Sequence, residues 1–222
     1  MLLDLTLIFY SVLAVTLTIK ELIKHLKIPR LQRNSPYVLR CKSMIINNKI
    51  SPHTIIVGNS GQGKSKLAEY LVKDRNDIDV TLINCYPDDF ASLTNVKRLT
   101  EIAEIMDYLG SILNTVHETP LYLVVDEVLA LSMQDKKINK LLTSIVAKGR
   151  HHAVFLIVIA QYGTREELPF KNLVGNRIAF SMIEESNYKT ILGFAPENTQ
   201  LKAREFVYLS SNGTGRSKCP KL

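Results

Sequence analysis

The chain has 222 residues, of which 46% are hydrophobic and 22% charged, and its formal net charge is +7. That is enough for one α/β core of ordinary size plus an appendage, and it leaves no room within these residues for a large second domain. Cys41, Cys85 and Cys219 are odd in number and lack C-x-x-C spacing, and the five histidines are scattered. The pattern supplies no disulfide framework and no zinc constellation, and it suits a reducing compartment.

The positive charge is unevenly spread. Lys20, Lys24, Lys27, Arg30, Arg33, Arg40 and Lys42 face only Asp4 and Glu21 in the first 42 residues, whereas the remainder is nearly neutral. Overall basicity is therefore no argument for nucleic-acid binding. Met1 to Ile19 carries Asp4 as its one charge and is rich in Leu, Ile, Val, Phe and Tyr. Its length is at the short end of a membrane span, it lacks a basic n-region, and it has no small-residue cleavage site before the lysines. We expect one uncleaved N-terminal transmembrane helix at 1–19 and, from the cationic flank, a body on the cytoplasmic side. A helix docking on a partner protein is the alternative. Residues 20–50, with Pro29 and Pro36, read as a basic juxtamembrane linker.

The body begins with Thr54-Ile55-Ile56-Val57, a short apolar run of buried-strand type. Gly58-Asn59-Ser60-Gly61-Gln62-Gly63-Lys64-Ser65 follows and fits G-x-x-x-x-G-K-S/T at every fixed position. Leu67, Leu71 and Val72 then recur at helical spacing. A loop between a strand and a helix N-terminus is the context that the phosphate-binding reading requires, because its amides and the helix dipole face an anion. Lys64 is the group to reach the β- and γ-phosphates of ATP, and the Ser65 hydroxyl is a ligand for Mg²⁺.

Val80-Thr81-Leu82-Ile83 reads as the next strand, closed by the turn-like Tyr86-Pro87-Asp88-Asp89. Ile102, Ile105, Met106, Leu109, Ile112, Leu113 and Val116 form a helical stripe. Leu121-Tyr122-Leu123-Val124-Val125 is an apolar strand that ends in Asp126-Glu127. Carboxylates at the carboxyl end of a buried parallel strand face the ligand crevice, so Asp126 is assigned to the Mg²⁺ shell and Glu127 to the attacking water. An acidic pair that caps the next helix is the plainer reading.

Lys136, Lys137 and Lys140 follow the Asp126 strand, where a second stripe of Ile138, Leu141, Leu142, Ile145 and Val146 begins, and read as phosphate contacts or as a solvated face. Val154 to Ala160 is an uninterrupted apolar strand that ends on Gln161, where a sensor of the γ-phosphate would sit. Arg177-Ile178-Ala179-Phe180-Ser181 reads as a further strand. Alternation of strand and helix predicts an α/β fold, a mostly parallel sheet with helices on both faces. The ATPase body is placed at 51–215 and a short tail at 216–222.

The order of these features resembles the FtsK/HerA superfamily of DNA-pumping ATPases. The resemblance runs over about residues 52 to 210 and rests on the phosphate loop, the Leu-Val-Val-Asp-Glu strand, Lys148-Gly149-Arg150-His151-His152-Ala153, the strand ending in Gln161, and Asn176-Arg177-Ile178-Ala179-Phe180-Ser181 with Lys189-Thr190-Ile191-Leu192. It implies a RecA-like P-loop NTPase, ATP and Mg²⁺ as cofactors, double-stranded DNA as partner, and a homo-oligomeric ring, a hexamer, with Arg177 as a trans-acting arginine finger. Tyr162-Gly163 stands where many relatives have Arg-Pro, and Lys189 where they have arginine. The size resembles that of minimal motors of plasmids, conjugative elements and viruses, with a relaxase or capsid and vertex proteins as further partners. A P-loop kinase and a nucleotide-gated membrane adaptor are the rival readings.

Overall fold

In the computed structural model of the protein, residues 35–221 are described. The expected transmembrane helix at 1–19 and the first part of the basic segment lie outside them. Among the described residues no helix is long and apolar enough to cross a membrane.

Strands β1 (Val38–Cys41) and β2 (Met44–Asn47) form an antiparallel hairpin. The main sheet is built from β3 (Thr54–Val57), β4 (Asp79–Ile83), β5 (Lys97–Leu99), β6 (Leu121–Val125), β7 (Val154–Ala160), β8 (Asn176–Ala179), β9 (Glu205–Ser210) and β10 (Gly213–Lys218). Its helices are α1 (Lys64–Val72), α2 (Ile102–Ser111), α3 (Val128–Gln134), α4 (Lys137–Lys148) and α5 (Ser186–Leu192). The sheet has eight strands in the order β10-β9-β8-β3-β7-β6-β4-β5. From β8 to β5 the pairings are parallel, and only β9 and β10 are antiparallel.

The strands at the centre are continuous apolar runs because both of their faces are covered. Successive residues alternate between two cores. Ile55, Val57, Leu123, Val125, Leu156 and Val158 pack with α2, α3, α4 and α5, while Ile56, Tyr122, Val124, Phe155 and Ile157 pack with α1 and the β1–β2 hairpin. The α/β fold class holds, with one helix and a hairpin on one face and four helices on the other. Both edge strands carry cations, Lys97 and Arg98 on β5 and Arg216 and Lys218 on β10, which blunts edge-to-edge pairing.

The boundaries of the body differ from the sequence reading. The unit that contains the sheet starts at Pro36, inside the range 20–50 assigned to a linker, because Leu39, Cys41, Met44 and Ile46 are fully buried against α1. At the other end β10 runs to Lys218, past the expected limit of 215, since every residue from Gly213 to Lys218 pairs with β9. The stripe from Ile102 stops being helical at Ser111, so Ile112, Leu113 and Val116 fall in the following connection.

Candidate functional site

Strand β3 lies between β7 and β8, so the connections leaving its carboxyl end open a crevice there. The loop that fills it begins at Gly58, with φ +145°, where a Cβ would come within 2.7 Å of Phe180 Cβ. Only glycine allows this approach. The Asn59 N–H then donates to Ser181 O at 3.0 Å, which ties the loop to the end of β8. Helix α1 starts at Lys64 with no side-chain cap and no acidic residue in its first turn. Its free amides and positive dipole end are left for an anion.

The loop borders a cavity of about 330 Å³ lined by Ser60, Gly61, Gly63, Lys64, Ser65 and Lys66 on one side and by Tyr86, Asp89, Asp126, Glu127, Ile159, Ala160 and Gln161 on the other. Gly58, Asn59 and Gln62 belong to the loop but not to the lining. The Lys64 ammonium donates to Gly58 O at 2.7 Å and Asn59 O at 3.0 Å. Burial lowers its pKa, and Asp126, Glu167, Glu127 and Asp89 oppose that shift.

Asp126 is 6% exposed, and its backbone is held by Ile83 O and by the Asn84 side chain. Its carboxylate accepts the Ser65 hydroxyl at 3.3 Å and the Glu127 N–H at 2.9 Å. Burial pushes its pKa up to about 6, against the pull of those two hydrogen bonds and of Lys64. Two hard oxygen donors beside each other, one a carboxylate destabilised by burial, fit a nucleotide-bound Mg²⁺. Glu127 sits at φ +49°, a strained backbone for a residue with a long side chain, at the start of α3. Such strain concentrates at functional positions.

The structure thus gathers Lys64, Ser65, Asp126, Glu127 and Gln161 around one cavity. It does not bring Arg177 there. Arg177 opposes Ile55 near the start of β8, and its guanidinium donates to Val174 O at 2.7 Å and Ile191 O at 2.9 Å. Lys136, Lys137, Lys140 and Arg150 are exposed. The sequence marks Tyr86 and Asp89 only as part of a turn. Their position after the carboxyl end of β4 was the signal that they face the same crevice. Glu167, buried among the amides that follow β7, left no signal in a motif.

No protein-family model matches the sequence, and no curated protein does either. Solved structures match throughout the body. The pCW3 conjugation coupling protein TcpA, in a structure with ATPγS, aligns with 82% of this chain at a TM-score of 0.62 and 15% identity. The cytoplasmic domain of the Thermomonospora curvata type VII secretion ATPase EccC aligns with 88% at 0.66 and 18%. The genome packaging NTPase B204 of Sulfolobus turreted icosahedral virus 2, with ATPγS, aligns with 80% at 0.59 and 16%. At these identities the likeness shows a shared fold: the chain has the fold of these three proteins. The match spans 64% of the TcpA structure and 30% of the EccC structure, but 100% of B204.

Proposed function

We propose that the protein is a ring-forming ATPase that couples ATP hydrolysis to translocation of double-stranded DNA for a plasmid, conjugative element or virus. The observation that carries the hydrolytic part is the convergence of Lys64, Ser65, Asp126, Glu127 and Gln161 on one cavity. When bound, Mg-ATP supplies the transferable phosphoryl group and a cation that neutralises its oxygens. Ser65 and Asp126 would hold that cation, while Lys64 turns from the loop carbonyls toward the phosphates. Glu127 orients the attacking water and takes its proton, and Gln161 reports on the γ-phosphate. A kinase would need an acceptor site and a lid instead.

The DNA and ring parts rest on the resemblance in sequence and on two neighbours, TcpA and B204, named for conjugation and genome packaging. B204, spanned along its whole length, favours a minimal motor, and a packaging or extrusion role is the variant of this reading that it supports. In the ring, Arg177 would have to release at least one of its two carbonyl partners to reach a neighbour's nucleotide. The apolar segment 1–19 anchors the assembly, with the ATPase body in the cytoplasm.

The test is ATP turnover by the full chain, in membranes or detergent, with and without linear duplex DNA. DNA is expected to raise turnover, and less so as salt increases, because the contacts are to phosphates. Arg177→Ala and Lys64→Ala should each be poorly active, and their mixture should recover activity through interfaces that join an intact loop to an intact arginine. No stimulation by DNA overturns the translocation reading. No complementation overturns the ring, and full-length protein in the soluble fraction overturns the anchor.

A further inference from the structure

Strand β7 ends at Ala160, and the next three residues carry Gln161 to the edge of the cavity and then leave it. Their three backbone N–H groups converge on one side chain. Gln161 N–H donates to Glu167 Oε1 at 2.9 Å, and Tyr162 and Gly163 N–H donate to Glu167 Oε2 at 3.0 and 2.7 Å. Glu167 is 2% exposed, and its own N–H donates to Thr164 Oγ1 at 3.2 Å. The buried Lys171 closes the knot from the other side, with Nζ donating to Gly163 O at 3.0 Å. Gly163 has φ +66°, and a Cβ there would lie 2.2 Å from Ile191 Cδ1 on α5, so the loop is clamped against that helix as well.

Burying an ionised carboxylate is strongly unfavourable unless its oxygens are satisfied, and here three amides satisfy it. A connection that only had to leave the sheet could bond its amides to water. This one is fixed at Gln161, which lines the cavity together with Lys64, Asp126 and Glu127. The same carboxylate is among the acids that oppose the lowering of the Lys64 pKa by burial.

From the sharing of one buried carboxylate by the amides of Gln161, Tyr162 and Gly163, we propose that Glu167 is a positioning residue for hydrolysis. It holds the Gln161 backbone so that the glutamine side chain meets the γ-phosphate and the attacking water. The proposal rests on the ATPase reading above. Misplacing a catalytic group by about 1 Å is enough to lower a rate by roughly 10²-fold, so a fixed backbone at this point has a direct kinetic consequence.

The experiment measures steady-state hydrolysis and binding of a non-hydrolysable fluorescent ATP analogue in Glu167→Gln, Gln161→Ala and the double variant, with thermal unfolding of each. Glu167→Gln keeps the size of the side chain but loses the charge and one acceptor. We expect analogue affinity within about threefold of wild type and kcat lower by tenfold or more, with a similar loss in Gln161→Ala. The double variant should fall no further than the weaker single, because both act through one group. If Glu167→Gln does not fold, Thr164→Val serves, since it removes the hydroxyl that accepts the Glu167 N–H. Its smaller loss of kcat should vanish in the Gln161→Ala background. Wild-type turnover in Glu167→Gln, wild-type turnover in Gln161→Ala, or losses that multiply in the double variant would each overturn the proposal. A wild-type protein that binds the analogue but turns over ATP no faster than Lys64→Ala would overturn the ATPase reading itself.

Discussion

Above pH 6 the buried Asp126 carboxylate carries its charge in a place that disfavours it, since burial raises its pKa from 3.8 to about 6. Below about pH 3 it is protonated in folded and unfolded chains alike and makes no difference. As pH rises from 3.8 to about 6 the folded state loses about 3 kcal/mol relative to that limit, because in that window the unfolded chain gives up the proton more readily than the folded one. Asp126→Asn is neutral at every pH. We therefore expect it to melt roughly 6–12 °C above wild type at pH 8, with the gap closing toward pH 3. Mg-ATP should raise the melting temperature of wild type more than that of the variant, which keeps Lys64 and the loop but lacks the carboxylate proposed for the cation. Differential scanning calorimetry at the two pH values checks both statements, and equal melting temperatures at pH 8 contradict them. If Asp126 holds the cation as proposed, stability and cation binding oppose each other at this residue.

At the scale of elements, His53 joins three that the sheet alone would leave separate. It precedes β3, its Nδ1 accepts the Leu156 N–H of β7 at 3.0 Å, and its Nε2 then donates to Val146 O on α4 at 3.1 Å. Burial depresses its pKa to about 4. Its contribution to stability is complete above pH 6.5 and declines as pH falls toward 4, because only the unfolded chain takes up the proton in that window. His53→Ala should destabilise the fold by roughly 2–4 kcal/mol at pH 7.5, and by less at pH 5. Urea titrations at both pH values measure this, and a gap that widens on acidification would contradict it. No periodicity marked His53, since its partners are backbone atoms 93 and 103 residues away in sequence. Strands β3, β6 and β7 were readable as unbroken apolar runs because they lie in the middle of the sheet. The β1–β2 hairpin was not, because Arg40 and Lys42 continue the basic run before it. Strand β10 was equally hidden, because Thr214, Arg216 and Lys218 give an edge strand the composition of a tail. The phosphate loop and the Asp126-Glu127 pair were visible because their chemistry is local to a strand end. Glu167 was not, because its role is to bind backbone amides that any sequence supplies.

For the whole molecule, the sheet order places the ends of β3, β6 and β7 side by side, so one cavity receives the loop, the carboxylate pair and Gln161 from three separate stretches of chain. That convergence implies a division of labour among the residues. Under the proposed function Lys64 and the loop would bind the nucleotide, and Glu127 would activate the water. The most direct measurement is nucleotide binding and ATP hydrolysis side by side in wild type, Lys64→Ala and Glu127→Gln. The account predicts that Glu127→Gln holds ATP with near wild-type affinity and hydrolyses it about 10²-fold or more slowly, while Lys64→Ala loses turnover altogether. Hydrolysis by Glu127→Gln at the wild-type rate would contradict it.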